Sequence, residues 1–392
     1  MRLLYLMTEP FGVGGVQSDI LALTELLVPR GHQVYVATRP GSLLPELQAR
    51  GARFREIDFH FRKPAALRRA MKHLRRLVRE ERIEVLAPQS VRSTVTSWLS
   101  LRMLPTGYRV PATGRRLPIV TTVHNIHNPA HFAYAGHILA HCADFVIFES
   151  HYERDRVIAG GLPSRRSVVI HSGIDVDGLR AGQPPALLAQ RYGLRPGEHH
   201  VYGIVARLSP EKGHRFLLEA FARVHGADPA ARLLIVGDGP LDGDLRRQAA
   251  ELGISPVVVF AGLQRDVASH FALMDVFVLA STRESFPLAA REAMAAGLAV
   301  IAPAIGGCPE VVADGETGLL YPAADVAALA RCMLRVRRED LWRKFGRAGR
   351  ERAVGLFARQ QWVARDERVY LRYAQPGPEP LPSDICSAIA GE

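Results

Sequence analysis

Short runs of aliphatic and β-branched residues alternate with helical patterns along most of the chain. The runs predict strands at 3–7, 33–38, 84–87, 119–124, 145–148, 168–171, 201–206, 232–236, 257–260, 276–280 and 299–302. Within each run the apolar residues are continuous, which is typical of parallel strands covered on both faces. Amphipathic stretches such as 16–29 and 214–225 separate the runs and complete βαβ units.

The strand-helix pattern restarts near Val201, after a polar stretch containing Pro and Gly at about 173–199. A chain of 392 residues is also long enough for about two ordinary domains. We therefore predict two α/β domains, 1–172 and 200–357, each a Rossmann-like doubly wound parallel sheet, joined by a linker at 173–199. The Pro-rich end, 375–392, is predicted to be disordered.

Ligands of such sheets bind at the carboxyl ends of the strands, and the motifs of this chain fall there. Gly14 and Gly15 follow the first strand and open a helix, where backbone N–H groups can approach an anion. A phosphate or sugar contact, a plain tight turn and a dinucleotide site remain open. The missing G-x-G-x-x-G pattern and the missing downstream acid argue against a dinucleotide site.

In the second half, Arg207 and Lys212 flank a turn directly after the predicted strand 201–206. Two cations at a strand end, with a helix N-terminus behind them, suit a diphosphate, although a solvated basic loop has the same composition. Gly237 lies at a strand–turn–helix junction. A glycine at this position is equally compatible with a structural role and with a binding role.

Two glutamates, Glu284 and Glu292, lie on either side of the entry to a predicted helix. They could be an acid/base couple, two contacts to one ligand, or unrelated surface charges. Eight residues of helix span about 12 Å, whereas retaining glycosidases hold their carboxyl groups about 5–5.5 Å apart. The spacing favours two contacts to one extended ligand.

Taken in order, the motifs resemble those of the retaining GT-B glycosyltransferases of the family-4 type (glycosyl transferases group 1). The likeness covers about 3–370 and is stronger in the second half. It is carried by the segments G-G-V (14–16), V-H-N (123–125), H-S-G-I-D (171–175), A-R-L-S-P-E-K-G (206–213), L-I-V-G-D-G-P (234–240), F-A-G-L (260–263), E-S-F-P-L-A-A-R-E-A-M (284–294) and G-G-C-P-E (306–310).

The resemblance implies that the two domains face each other across a cleft and that a helix at about 358–374 packs back on the first domain. It also implies sugar transfer from a UDP- or GDP-sugar to an acceptor hydroxyl, with no cofactor and no metal. Arg207 and Lys212 would neutralise the diphosphate, Glu284 would contact the sugar, and Glu292 would hold the ribose. The remaining positions that it assigns to the donor are the backbone of Phe286, Leu288 and Ala289, the base-side residues Leu263 and Arg265, and Gly237.

This chain departs from the common family form E-G-F-G-L by carrying Ser285 and Pro287. Proline fits the first turn of a helix but offers no N–H to a ligand. The resemblance places His124 beside the transferred sugar or the acceptor. His124, His127 and His131 also permit a metal-site reading, which the break at Asn128-Pro129 opposes.

The formal net charge of +11 belongs entirely to the first half. Residues 1–170 hold 24 Lys and Arg against 13 Asp and Glu, and the rest of the chain is balanced. At 64–82, a stripe of apolar residues lies opposite a basic face. It predicts either a surface helix with solvated charges or a contact with anionic membrane, where each basic residue contributes about 1 kcal/mol.

The resemblance implies that the first domain takes the acceptor, which in related enzymes is often lipid-linked. The charge of this half favours a membrane-held acceptor, and an anionic soluble acceptor would fit it too. We therefore predict a cytoplasmic enzyme, peripheral on the inner face of the membrane, acting on a lipid-linked saccharide in the synthesis of bacterial exopolysaccharide, capsule or lipopolysaccharide. The first apolar run is too short for a signal peptide, and four scattered cysteines without C-x-x-C pairs suit a reducing compartment. A nucleotide-sugar epimerase with the same two domains is the alternative. Nucleic-acid binding is not predicted, because no recognition motif accompanies the basic residues.

Overall fold

The computed structural model describes residues 1–59, 64–102, 108–111, 113–126, 130–179, 182 and 185–375. The chain divides into two compact units. Unit 1 comprises 1–173 together with the chain from Arg359 onward, and unit 2 comprises Ile174–Ala358. Among the described helices, none combines the length and apolar composition that a bilayer-spanning segment requires.

The described strands and helices of unit 1 before residue 174 form βα units on parallel strands. The strands are β1 (Arg2–Leu6), β2 (Gln33–Thr38), β3 (Arg53–Glu56), β4 (Val85–Pro88), β5 (Val120–Val123), β6 (Phe145–Phe148) and β7 (Ser167–Val169). The helices are α1 (Gly15–Leu27), α2 (Leu44–Ala49), α3 (Pro64–Glu80), α4 (Val91–Arg102), α5 (His131–Cys142) and α6 (His151–Ala159).

Two parallel ladders of unit 1, β3-β2-β1-β4 and β5-β6-β7, are joined side by side. A parallel bridge between Leu86 and Ile119 connects β4 with β5. The continuous order is thus β3-β2-β1-β4-β5-β6-β7, with both faces covered by apolar clusters. This is the doubly wound order that βαβ units with right-handed crossovers produce.

Unit 2 contains one parallel sheet in the order β10-β9-β8-β11-β12-β13. Its strands are β8 (His200–Val205), β9 (Ala231–Val236), β10 (Val258–Gly262), β11 (Val276–Val278), β12 (Ala299–Pro303) and β13 (Gly318–Tyr321). Its helices are α7 (Ala186–Arg191), α8 (His214–Ala227), α9 (Asp242–Glu251), α10 (Val267–Phe271), α11 (Leu288–Ala295), α12 (Cys308–Val311), α13 (Val326–Arg338) and α14 (Leu341–Leu356).

The last helix, α15 (Arg359–Ala374), belongs to unit 1. Its buried face, which includes Trp362, Val363 and Tyr370, joins the apolar cluster around β1 and α1. The ring of Tyr370 meets that of Tyr5 on β1 edge to face, with centroids 6.2 Å apart. The chain thus leaves unit 1 after residue 173 and returns to it for its final helix.

All eleven predicted strands are present, and their ends differ from the predicted ends by at most two residues. Among the described residues, two further strands were not predicted. Both of the missed strands, β3 and β13, lie at sheet edges. The sequence of β3, R-F-R-E, is mostly charged because an edge strand pairs on one side only and is less enclosed. The predicted linker, 173–199, belongs to unit 2 from Ile174 onward, where Ile174, Val176 and Leu194 join its core. The predicted disordered tail lies outside the described residues beyond Gln375.

Candidate functional site

The carboxyl edge of the unit 2 sheet brings two loops together at its switch point. The strand order grows outward in opposite directions from the neighbours β8 and β11. A crevice forms where such a reversal occurs, because the following loops turn to opposite faces of the sheet. The loops after β8 and β11 are tied by a hydrogen bond in which the Thr282 N–H donates to the Glu211 carbonyl at 2.8 Å.

Two glycines allow these loops to pack backbone against backbone. Gly213 has φ +65°, and a Cβ atom there would lie 1.9 Å from the carbonyl oxygen of Ala280, at the end of β11. Gly306, after β12, has φ +56°, and its Cβ would lie 1.7 Å from the carbonyl oxygen of Glu284. Neither position can hold a side chain without displacing the loop that carries Glu284.

Glu284 is held by two donors at this edge. The Lys212 ammonium donates to Glu284 Oε1 at 2.7 Å, and the Ser281 hydroxyl donates to the same oxygen at 2.7 Å. The Glu284 side chain is 9% exposed and that of Lys212 is 28% exposed. Arg207, on the same loop as Lys212, is exposed. The edge therefore presents cations beside an ordered carboxylate.

Helix α11 starts immediately after this carboxylate. Pro287 is its N-cap residue with φ −66°, and Leu288 and Ala289 follow in the first turn. The first backbone N–H groups of a helix have no partner within the helix and carry the positive end of its dipole. Leu288 and Ala289 contribute side chains to the apolar core, so their backbones are what they can offer to a ligand.

The side chain of Phe286 packs in the apolar core of unit 2. It is buried, its ring lies edge to face with Phe357 at 5.7 Å, and the Arg291 guanidinium lies 4.3 Å from its centroid. Gly237 is explained structurally as well. Its N–H donates to the Gly262 carbonyl, and a Cβ there would lie 2.0 Å from the carbonyl oxygen of Ala206. Close packing of β9 on the β8 loop therefore accounts for this glycine.

Glu292 lies one turn after Leu288 on α11, and it is only partly exposed. Burial raises the pKa of its carboxyl to about 7, with the nearby Arg291 opposing the shift. Leu263 and Arg265 follow β10 at the same edge of the sheet, and both are exposed, Leu263 to 68%. An exposed leucine at a strand end can cover an apolar or aromatic ligand surface.

In unit 1, the switch point lies between β1 and β4 and opens into a cavity of about 750 Å³. Residues that follow β1, β4 and β5 line its sheet end: Met7, Thr8, Glu9, Gln89, Ser90, His124, Asn125 and Ile126. Its other walls come from α1, α4 and α5. The volume is within the range of small-molecule binding sites.

His124 lines this cavity, and both of its ring nitrogens have hydrogen-bond partners. Nδ1 is 2.9 Å from Glu149 Oε1, and Nε2 is 2.8 Å from Gln89 Oε1. Burial alone would lower its pKa, yet the charges of Glu149, Asp19 and Glu153 outweigh burial and raise the pKa to about 9. His124 is therefore an imidazolium at neutral pH, donating to both neighbours, and not a general base.

Asp19, His124 and Glu149 could together hold a metal ion only if the His124 imidazolium lost a proton. Asp19, His124 and Glu149 each place one ligand-type atom within 4.8 Å of the others. The raised pKa of His124 favours a proton at Nδ1, and the proton satisfies the arrangement. Of the three histidines considered from sequence, His127 lies outside the described residues, and His131 is the first residue of α5.

Gly14 and Gly15 form the entry to α1 in unit 1. Gly14 precedes the helix in an extended conformation, and the Gln17 side chain donates back to the Pro10 carbonyl at 2.9 Å. A Cβ at Gly15 would meet no atom within 4 Å. Gly15 is thus free of the close contacts that explain Gly213, Gly237 and Gly306.

Sequence reasoning missed most partners of these groups. Glu149 follows directly after the predicted strand 145–148, and Gln89 lies two residues after the predicted strand 84–87. Those positions were the available signal. Asp366 gave no signal, because it lies on α15, more than 200 residues from His124. Burial and the charge of Glu149 raise the pKa of the Asp366 carboxyl well above its ordinary value, while His124 lowers it.

Ser150 caps α6 by accepting from the Glu153 N–H at 3.3 Å.

Two family models match this chain in succession. "Glycosyltransferase Family 4" matches 13–177 and "Glycosyl transferases group 1" matches 199–339. The chain belongs to the family-4 (group 1) glycosyltransferases. The first match lies in unit 1 and extends four residues beyond it, and the second lies within unit 2.

Relatives of this family-4 glycosyltransferase agree with the assignment. A GDP-mannose-dependent alpha-(1-6)-phosphatidylinositol monomannoside mannosyltransferase of Mycolicibacterium smegmatis is 36% identical over 48% of this chain, and the match spans about half (51%) of that relative. The N-acetyl-alpha-D-glucosaminyl L-malate synthase of Bacillus anthracis is 25% identical over 91% of this chain and 94% of its own length.

Solved structures show the same fold for this family-4 glycosyltransferase. Anabaena Alr3699/HepE, in complex with UDP-glucose, superposes with a TM-score of 0.78 at 22% identity, covering 94% of this chain and 99% of that one. The fold is GT-B, with two Rossmann-like domains, as predicted from the motifs.

Proposed function

We propose that this enzyme transfers a sugar from a UDP- or GDP-sugar to an acceptor hydroxyl with retention of anomeric configuration. The observation that carries the proposal is the Lys212–Glu284 pair at 2.7 Å on the switch point of unit 2. It puts a fixed cation where a diphosphate would be neutralised, and a fixed carboxylate where sugar hydroxyls would be recognised. The exposed Arg207 and the N-terminus of α11 add positive potential there.

The donor would extend along this edge of unit 2. Glu284 would accept hydrogen bonds from the sugar, and Glu292, in the second turn of α11, would accept them from the ribose. The base would lie over Leu263 and Arg265 beyond β10. The backbone N–H groups of Leu288 and Ala289 would approach the phosphate. As the bond to the anomeric carbon breaks, negative charge grows on the leaving diphosphate, and Lys212 and Arg207 stabilise it.

Retention without a nucleophile fits the surroundings of Glu284. Its Oε1 atom already accepts from Lys212 and Ser281, which lowers its ability to attack carbon. We therefore favour a front-face displacement. The anomeric C–O bond to phosphate breaks, the acceptor oxygen bonds to the anomeric carbon on the same face, and the acceptor proton moves to the departing phosphate oxygen. No metal or other cofactor is part of this proposal.

The relatives support the class of donor. HepE was solved with UDP-glucose, and the mycolicibacterial relative is named as GDP-mannose-dependent. That relative's name also specifies an acceptor based on phosphatidylinositol. We propose a lipid-linked saccharide of cell-surface polysaccharide synthesis as the acceptor of this enzyme, carried by unit 1.

The basic face of α3 supports peripheral attachment to anionic membrane, on the cytoplasmic side. Its exposed cations are Arg68, Arg69, Lys72, Arg76 and Arg79, while Leu74, Leu77 and Val78 are buried beneath them. Arg75 does not belong to the exposed set, because its Nε donates to the Ser100 carbonyl on α4. Phe61, which would extend this face, lies outside the described residues.

The test is a panel of UDP- and GDP-sugars with a saccharide acceptor mixture, analysed by mass spectrometry and by the anomeric proton coupling of the product. Retained configuration and transfer to the acceptor are expected. Incubation with donor alone separates transfer from epimerisation, since an epimerase would convert the donor without any acceptor. If no nucleotide-sugar binds by calorimetry, the proposal fails.

A further inference from the structure

Helix α4 has its polar and apolar sides reversed relative to an ordinary surface helix. Five hydroxyl residues of this helix are buried: Ser93, Thr94, Thr96, Ser97 and Ser100. Each donates to a backbone carbonyl three or four residues earlier, at 2.7–3.0 Å. These bonds satisfy the hydroxyls within the helix, so the polar side can be buried at little cost.

The apolar side of α4 is consequently left to the cavity. Val91, Val95 and Leu99 are half-buried, and all three line the cavity of unit 1. Their spacing of four residues puts them on one face of the helix. From the first to the last, this stripe is about 12 Å long. Apolar residues at such positions of a doubly wound fold normally pack on the sheet.

Helix α5 supplies the facing wall. Tyr134, Ala135 and Ile138 line the same cavity, and the Tyr134 side chain is 69% exposed. Towards the far ends of the two helices, the rings of Trp98 and His141 are in contact, with centroids 4.8 Å apart. Both helices start near the carboxyl edge of the sheet, so the apolar channel between them leads away from that edge.

The cavity is thus graded in polarity. Thr8, Gln89 and His124 line the end at the sheet. Between α4 and α5 the lining contains the aliphatic residues Val91, Val95, Leu99, Ala135 and Ile138, together with Arg92, Thr96, His131 and Tyr134. A monosaccharide alone would contact the polar end and leave the apolar stripe exposed to water. An amphiphile would satisfy both, with hydroxyls at the sheet end and a hydrocarbon chain along the stripe.

We propose that this cavity binds an acceptor whose sugar head is joined directly to an apolar chain, and that Val91, Val95 and Leu99 hold the first part of that chain. This inference rests on the proposed glycosyl transfer and specifies the acceptor for it. It assigns chain recognition to the channel between α4 and α5 and head-group recognition to the sheet end.

Binding of n-alkyl β-D-glucopyranosides to the full-length protein tests the inference without requiring turnover. Glucose and the hexyl, octyl and decyl glucosides would be titrated by calorimetry, each below its critical micelle concentration. Affinity should rise by up to about fourfold for each added methylene while the chain still lies on the stripe. An affinity that does not depend on chain length would overturn the inference.

Variants at Val95 locate the chain. Val95→Trp, which fills the channel, should weaken octyl glucoside binding at least tenfold, and Val95→Thr, of nearly equal size, should weaken it severalfold. Val354→Trp and Val354→Thr are matched controls, because Val354 is 42% exposed on α14 of unit 2. Equal binding by all four variants and the unmodified protein would place the chain elsewhere and sink the assignment. Val95→Thr decides the matter if Val95→Trp does not fold.

Nucleotide-sugar binding, measured on the same samples, separates this inference from the proposed function. Nucleotide-sugar binding without any chain-length effect would remove the apolar acceptor and leave glycosyl transfer standing. A chain-length effect without nucleotide-sugar binding would remove the transfer, and with it the acceptor role of the cavity.

Discussion

The Lys212 ammonium and the Glu284 carboxylate form an ion pair of 2.7 Å at the switch point of the unit 2 sheet. The Ser281 hydroxyl completes the same site from the end of β11. The two charges are 72 positions apart in the chain, and the neighbouring order of β8 and β11 brings them together. The pair orients both groups before any ligand binds, which would reduce the reorganisation that the proposed sugar transfer requires.

Replacing Lys212 by Met should lower kcat by about 10²–10³-fold, because one preorganised charge opposite the developing anion is lost. Steady-state kinetics with the active nucleotide-sugar would measure the loss. Lys344→Met is the matched control, since Lys344 is exposed on α14 of the same unit. Unchanged kcat in Lys212→Met would contradict the assignment of this side chain to the diphosphate.

Donor binding should strengthen as pH rises from 6 to 8. Burial raises the pKa of Glu292 to about 7, and only the ionised carboxylate accepts two ribose hydroxyl bonds. The affinity for a nucleotide-sugar, whose diester pyrophosphate does not titrate here, should increase about tenfold over this range. Calorimetry at each pH would show it. Glu292→Gln should bind weakly with little dependence on pH, and a wild-type slope in that variant would rule out Glu292 as the titrating group.

Gly306→Ala should destabilise unit 2 and abolish activity. The new Cβ would lie 1.7 Å from the Glu284 carbonyl oxygen, in addition to strain of about 1–2 kcal/mol at φ +56°. Gly315→Ala is the control for strain alone, because Gly315 has φ +75° with nothing within 4 Å. Urea denaturation should show a clearly larger loss for Gly306→Ala. Equal losses would mean that the backbone contact with Glu284 has no effect of its own.

The His124–Glu149 pair should stabilise unit 1 most at low and neutral pH. Charges of Glu149 and Asp19 overcome burial and raise the His124 pKa from 6.5 to about 9. The contribution is therefore complete below about pH 6.5 and is lost as pH rises through 9. Its size is on the order of 3 kcal/mol.

Titration of the His124 ring by NMR and urea denaturation at pH 6.5 and 9.5 would test this pair. Glu149→Gln should lower the His124 pKa and destabilise unit 1 more at pH 6.5 than at pH 9.5. Glu339→Gln, at an exposed ion pair with Arg335 in unit 2, should do neither. A His124 pKa near 6.5 in the unmodified protein would refute the imidazolium assignment.

Charge reversal on α3 should release the enzyme from anionic vesicles. The triple variant Arg68→Glu, Arg69→Glu, Lys72→Glu removes three exposed cations, each contributing about 1 kcal/mol near an anionic surface. Co-sedimentation with vesicles containing phosphatidylglycerol should fall by at least 100-fold in apparent affinity. The triple variant Arg338→Glu, Arg343→Glu, Lys344→Glu changes net charge equally on unit 2 and should still sediment. Equal loss in both variants would indicate net charge instead of a defined face.

The sequence by itself determined the strands and the two-unit organisation, and it singled out the residues that we propose to bind the donor. Short continuous apolar runs are typical of parallel strands covered on both faces, and Arg207, Lys212 and Glu284 lie in the loops that follow such runs. Edge strand β3 was missed because pairing on one side removes the need for a continuous apolar run. Strand β13, G-L-L-Y, was missed although its short run is apolar and mostly buried.

Only the tertiary structure decided what surrounds these residues. Sequence spacing does not show that Glu149 and Asp19 lie beside His124, and these carboxylates are what make its imidazole a buried cation. It does not show that Phe286 packs on Phe357, or that Gly306 touches the Glu284 backbone. Nor does it reveal the reversed helix α4, whose hydroxyls are satisfied inside unit 1 while its valines face the cavity. Charge, burial and close contact depend on neighbours distant in the chain, and only folding brings those neighbours together.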